Sequence, residues 1–190
     1  MGYDHIDSKF NQLLHEPTDM REHMTTIKKY ASRCKLIVEF GVYDCTSTWA
    51  LIAGRPQKLT SYDLVRRQEV DEVEQAVSGS GTEFKFVTGD TAEIKIEETD
   101  LLFIDSMHTY GHLKKELALH SQKVSKFIVL HDTTTFGSID QHSEHRLING
   151  VLNTGRGLWP AVEEFISVGS DWKVDQRFTN CNGLTILVRS

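Results

Sequence analysis

Five short apolar runs punctuate the chain: LIVEF at 36–40, KLTSYD at 58–63, FKFVTGD at 84–90, DLLFID at 100–105 and KFIVLHD at 126–132. Each has the length and the β-branched or aromatic content of a strand, and all but the first end in an acid. Between them the spacing turns helical, over 47–53, 65–77 and 109–123. In the last of these Tyr110, Leu113, Leu117 and His120 share one face. Strand alternating with helix predicts a parallel sheet wrapped by helices.

The flanks read differently. Residues 5–32 predict one or two helices, with Thr18 or Asp19 as N-cap after Pro17. These helices form a cap or lid, or pair with a second subunit in a homo-oligomer. After the fifth run comes a polar loop, TTTFGSIDQHSEHR, then a helix near GLWPAVEEFIS. DWKVDQRF and GLTILVRS read as two strands joined through TNCN, a connection too short for a crossover helix, so this pair is antiparallel. The expected fold is therefore α/β: a Rossmann-like doubly wound sheet of seven strands, helices on both faces, ending in an antiparallel hairpin. At 190 residues it is one domain, with 1–33 as N-terminal cap and 34–190 as core.

Composition removes some partners. Lys and Arg total 21 against 27 Asp and Glu, for a net charge of −6, and the basic residues fall in scattered pairs such as Arg66-Arg67. That distribution argues against nucleic acid. No apolar run approaches the roughly twenty residues that cross a bilayer. The N-terminus lacks a basic segment followed by an apolar one, and Ile6 stands where a myristoylation signal wants Ser or Thr. Cys34, Cys45 and Cys181 are odd in number and in no CxxC pair, which fits reduced thiols in a cytoplasmic protein. A small molecule is the expected partner.

In an open parallel sheet, ligands bind beyond the carboxyl ends of the strands, where this chain places EFGVYDCTS, SYD, TGD, IDSMH and LHDTTT. Gly41 permits a tight turn, and Thr46, Ser47 and Thr48 can open a helix whose free N–H groups favour an anion. Asp63 is placed to accept from ribose hydroxyls, and Asp90 to meet an adenine amino group. The dinucleotide fingerprint GxGxxG is absent, because Tyr43 and Thr46 stand where glycines would let a pyrophosphate approach. Asp105 and Asp132 end neighbouring strands, so their carboxylates converge and repel unless protonated or bridged by a cation. Oxygen ligands suit magnesium, with manganese as the competitor.

EFGVYDCTS, SYD, TGD and DLLFID resemble the successive motifs of class I S-adenosylmethionine-dependent methyltransferases over residues 35–190. The first is similar to the catechol O-methyltransferase version, with Cys45 replacing the second glycine. The ending GLWPAVEEFI…DWKVDQRFTNCNGLTILVR more resembles small bacterial and phage methyltransferases related to the cephalosporin-hydroxylase-like and macrolide-sugar O-methyltransferases. The resemblance implies S-adenosyl-L-methionine as cofactor, contacted by Glu39, Gly41, Tyr43, Ser47, Asp63 and Asp90. It implies a divalent cation on Asp105 and Asp132, and His108, three residues after the first acid, as general base. The third ligand departs from both patterns: His131 stands where the sugar enzymes have glutamate, and Thr133 where the catechol enzymes have asparagine.

The expected reaction is methyl transfer to a hydroxyl of a small acceptor, a sugar diol ahead of a catechol-like ring. The rivals are a nicotinamide-dependent oxidoreductase, a degenerate binding module of the same fold, and metal-assisted hydrolysis at Asp105, Asp132 and His131. His142 and His145 in the polar loop are expected to be solvated, and Trp159 and Trp172 to serve packing.

Overall fold

The computed structural model describes residues 2–141, 146–148, 151–167 and 169–190. Strands β1 (Leu36–Phe40), β2 (Lys58–Asp63), β3 (Glu83–Thr88), β4 (Thr99–Ile104) and β5 (Val124–His131) coincide with the five apolar runs to within two residues at either end. A two-stranded hairpin, β6 (Arg146–Ile148) and β7 (Val151–Asn153), follows the polar stretch that reads as irregular from its sequence. The last pair is β8 (Trp172–Phe178) and β9 (Leu184–Arg189).

The main sheet has seven strands in the order β3-β2-β1-β4-β5-β9-β8. The first five are mutually parallel, and β9 runs antiparallel to both β5 and β8. The chain thus returns through the hairpin to insert its final strand between two that run the other way.

Helices cover both faces, which is why the central runs of β1, β4 and β5 are buried along most of their length, whereas the edge strand β3 alternates. On one face Ile37, Leu101, Phe103, Phe127, Val129 and Ile186 pack under α1 (Gly2–Leu13), α2 (Met24–Ala31), α3 (Thr46–Ile52) and α4 (Glu69–Val77). Their neighbours Val38, Leu102, Ile104, Ile128, Leu130 and Leu187 pack under α5 (Tyr110–His120) and α6 (Leu158–Ser167). Successive side chains of a strand point to opposite faces, so one run feeds two cores.

Two helix boundaries differ from expectation. Helix α4 begins at Glu69, not 65, leaving Leu64 and Val65 half exposed in the loop after β2. Neither Thr18 nor Asp19 caps a helix: a 3-10 turn at Arg21–His23 leads into α2, whose N-cap His23 makes no side-chain cap bond. The N-terminal helices are less a lid than part of the helical layer. Ile6, Phe10, Met24, Ile27 and Tyr30 are buried with Trp49, Ile52 and Val70 in the first core.

Candidate active site

Strand β1 has β2 on one side and β4 on the other, so the order reverses there and the loops leaving the two halves diverge. The gap is a cavity of about 570 Å³ at the carboxyl ends of β1 to β5. Gly41, Tyr43, Ser47, Asp63, Asp90, Asp105, His108 and Asp132 all line it.

One end is built from the loop after β1. Gly41 has φ +81°, and a Cβ there would sit 2.0 Å from the Asp105 carbonyl oxygen, so only glycine lets the loop lie against the end of β4. Tyr43 and Cys45 also take left-handed φ, of 42° and 65°, the conformation a glycine would supply more cheaply. Asp63 holds the loop in that shape: its Oδ2 accepts from the Val42 and Tyr43 amides at 2.8 and 3.2 Å, and its Oδ1 from Val65 N at 3.1 Å. Asp90 Oδ1 accepts from Ala92 N at 2.9 Å.

Glu39 departs from its expected role as a cofactor contact, because it does not line the cavity. It is fully buried, accepting from the hydroxyls of Ser47 at 2.7 Å, Thr48 at 2.9 Å and Ser61. Burial pushes its carboxyl up to about 7 against the pull of those hydroxyls. It ties the start of α3 to β1 and β2, so its effect on the loop is indirect.

At the other end the two strand-end acids meet two histidines. His108 Nε2 lies 3.0 Å from Asp105 Oδ1 and 3.0 Å from Asp132 Oδ2. Its ring stacks on Phe136, nearly parallel at 5.0 Å between centroids. His131 Nδ1 faces the same pair, at 3.4 Å from Asp105 Oδ1 and 3.5 Å from Asp132 Oδ2. Burial disfavours the charged form of both imidazoles, but the carboxylates outweigh it, pushing His108 up to about 9 and His131 to about 10. The acids answer in kind: burial opposes their ionisation, yet the imidazoles hold both below the ordinary carboxylate range. Without a cation, then, the convergence of the two acids favours the charged form of both rings.

The same cluster suits a divalent cation. Among the described residues, Asp105, His131 and Asp132 bring one ligand atom each within 4.8 Å of one another. His131 Nδ1 and Asp132 Oδ1 are buried without a hydrogen-bond partner, as donors reserved for a metal would be. Two carboxylate oxygens and one imidazole nitrogen suit magnesium or manganese with water completing the shell. Thr133 is not part of the set, since its hydroxyl is fully buried against Thr185 at 2.9 Å. Asp132 has φ 60°, an uncommon backbone state for a residue other than glycine.

Several supporting residues carry no signal in the sequence. Phe136, stacked on His108, lies in a polar stretch. Asp140 is buried and accepts from Tyr110 N at 2.7 Å, Gly157 N at 2.8 Å and Gly155 N at 2.7 Å, pinning the start of α5 to the loop before α6. On the cavity wall, Thr91 Oγ1 donates to Glu116 at 2.6 Å and meets His112 Nε2 at 3.1 Å. An acid, Glu116, on the buried face of α5 is the only hint of this group. Trp172 is buried beside Phe165, and Trp159 packs under Arg177, both serving packing as expected. His142 and His145 lie outside the described residues.

No protein-family model and no curated protein matches the sequence. Solved structures share the fold at low identity. A methyltransferase of Podospora anserina, PaMTH1, bound to SAH (S-adenosylhomocysteine), is 17% identical with a TM-score of 0.62, covering 97% of this chain and 87% of its own. An O-methyltransferase of Bacillus cereus in complex with SAH is 12% identical with a TM-score of 0.63, over 98% of this chain and 90% of its own. A 1,6-didemethyltoxoflavin-N1-methyltransferase of Burkholderia thailandensis is 14% identical with a TM-score of 0.63, over 99% and 89%. The Rossmann-like sheet of seven strands with its antiparallel final strand is therefore a fold that this chain shares with these methyltransferases.

Proposed function

We propose that this chain transfers the sulfonium methyl of S-adenosylmethionine to a hydroxyl oxygen of a small acceptor, with a sugar diol favoured over a catechol-like ring. One observation carries the reading: a single cavity is lined both by Gly41, Asp63 and Asp90 and by the Asp105, His108, Asp132 cluster. The first group suits a nucleoside, and the second suits an ionisable hydroxyl beside it. The SAH-bound neighbours support the donor, while the fold is common to enzymes that methylate oxygen and nitrogen.

In the proposed reaction the acceptor oxygen forms a bond to the methyl carbon as the carbon–sulfur bond breaks, and the electron pair stays on sulfur. The sulfonium is already activated, so the protein supplies position, desolvation and a proton acceptor. Asp63 and Asp90 would orient the nucleoside, and Gly41 would allow the loop to close on it. Asp105, Asp132 and His131 would hold a divalent cation, whose chemistry is to lower the pKa of a bound hydroxyl and to pair two neighbouring oxygens. His108 Nε2 would take the hydroxyl proton. It serves as a base once the carboxylates that raise its pKa are shared with another positive charge.

What separates this reading from a nicotinamide enzyme is the loop after β1, where Tyr43 and Thr46 stand in place of the glycines that let a pyrophosphate approach. Calorimetric titration with S-adenosylhomocysteine, with and without magnesium and with NAD as control, tests it. Binding of the homocysteine product but not of NAD is expected. Binding of NAD alone, or of neither, would discard the assignments of Asp63 and Asp90.

A further inference from the structure

The ring of His131 is held by an unusual turn. Its Nε2 lies 3.1 Å from the Cys181 carbonyl, in the connection between β8 and β9. A carbonyl oxygen can only accept, so Nε2 carries a proton, and in the neutral ring Nδ1 is left as a bare lone pair facing Asp105 and Asp132. The same carbonyl accepts a second bond, from His23 Nε2 at 3.2 Å, and that nitrogen also donates to Asn180 O at 2.9 Å. The two rings meet edge to face, 5.7 Å apart.

This carbonyl is presented by backbone that would not adopt its shape unaided. Cys181, Asn182 and Gly183 have φ of 40°, 64° and 97°, three left-handed residues in succession, two of them not glycine. The turn is clamped from two sides. Asn182 O accepts from Thr134 N at 2.8 Å and Thr135 N at 3.0 Å, just after Asp132. From the N-terminal segment, Glu22 accepts from the Asn180 side chain and Asp19 from that of Asn182. His23 is almost wholly buried at 1% exposure, though the cavity wall is reached only by its neighbours Asp19 and Met20.

We infer that His23 is a positioning residue for the cation site: by fixing the Cys181 carbonyl it locks His131 with Nε2 protonated and Nδ1 presented to the metal. The inference rests on the reading of Asp105, His131 and Asp132 as cation ligands. It also gives the N-terminal segment a task that its packing alone does not require, since the residues beside Asp19 and Met20 on the cavity wall then set the affinity of the far end. Groups that orient a metal-bound histidine in this way change metal affinity by about 10- to 100-fold when removed.

The test is direct titration of the full chain with Mn²⁺, following free metal by paramagnetic resonance, for wild type, His131→Ala, His23→Phe and His23→Gln. Phenylalanine keeps the ring against Phe178 but removes the donor, whereas glutamine restores an N–H. The expected result is Mn²⁺ binding weakened about tenfold in His23→Phe, largely recovered in His23→Gln, with metal-free affinity for S-adenosylhomocysteine unchanged in both. No binding by wild type, or equal binding by His131→Ala, overturns the cation reading and this inference with it. Binding lost in His131→Ala but intact in His23→Phe overturns this inference alone. So does a parallel loss of Mn²⁺ and homocysteine-product binding that glutamine does not rescue. Should His23→Phe fail to fold, nitrogen-15 spectra of the Zn²⁺-loaded wild type decide: His131 bound through Nδ1 with Nε2 protonated is expected, and binding through Nε2 refutes it.

Discussion

In the proposed reaction His108 and Asp63 have separate tasks, and substitutions should tell them apart. His108 meets both carboxylates with one nitrogen, whereas the loop after β1 is held by Asp63. His108→Ala is expected to leave affinity for S-adenosylhomocysteine within about twofold, while kcat falls by roughly 10²–10⁴, the usual contribution of a positioned base. Asp63 does the opposite work. Its carboxylate accepts three backbone amides, so Asp63→Ala removes the clamp on Val42 and Tyr43 and, in the proposed reaction, an acceptor for ribose as well. A loss of ten- to a hundredfold in cofactor affinity is expected, at roughly 1.4 kcal/mol per tenfold. Calorimetry and initial rates on both variants check this, and equal loss of cofactor binding in the two would merge the roles.

At the scale of elements, the contact between the β1 loop and the end of β4 decides whether the site exists. Gly41 has φ +81°, and a methyl group added there would meet the Asp105 backbone at 2.0 and 2.5 Å, whereas Gly79, at φ +75°, has nothing within 4 Å. Both replacements by alanine strain the backbone by about 1–2 kcal/mol, but only Gly41→Ala must also push two strands' ends apart. Gly41→Ala is expected to cost at least about 3 kcal/mol in urea denaturation and to abolish cofactor binding, with Gly79→Ala losing no more than about 2. Comparable losses at the two positions would show that the close approach is immaterial. This contrast also explains what the sequence could and could not reveal. Strand runs buried on both faces are continuous and therefore visible, and acids at their ends, Asp63, Asp105 and Asp132, mark the binding edge by position alone. Glu39 resembles them in sequence, but a strand's penultimate residue points into the sheet's cover rather than its mouth. Phe136, Asp140 and the Cys181 carbonyl are invisible in the sequence because each acts through a partner distant along the chain or across the fold, His108, Gly157 and His131. The start of α4 is displaced from its expected position because Leu64 and Val65 mimic the apolar spacing of a helix while lying in the loop.

The charge cluster links the site to the stability of the whole molecule, with a definite sign. His108 and His131 have folded pKa values raised to about 9 and 10 against about 6.5 in an unfolded chain. Groups raised on folding contribute stability that is complete below the unfolded value and is lost as pH climbs through the folded one. The melting temperature of the metal-free protein should therefore fall steadily between about pH 6.5 and 9. Burial disfavours the charged form of His112, but Glu116 raises it, so this ring pulls in the same direction above pH 6.5, while the remaining shifted groups act outside that window. Glu39, raised to about 7 by burial, has spent most of its effect below it, and Cys34, raised to about 12 by burial, acts only above about 9. The lowered values of His23 and His120, both caused first by burial, weaken the protein only as pH drops below 6.5. Magnesium would replace imidazolium charge by its own, so the decline should flatten at saturating magnesium. Thermal melts across this same range in chelator and in magnesium measure both slopes. A melting temperature that holds or rises with pH in chelator would mean that the two imidazoles do not carry the charge between Asp105 and Asp132. Two parallel slopes would mean that magnesium does not enter the cluster.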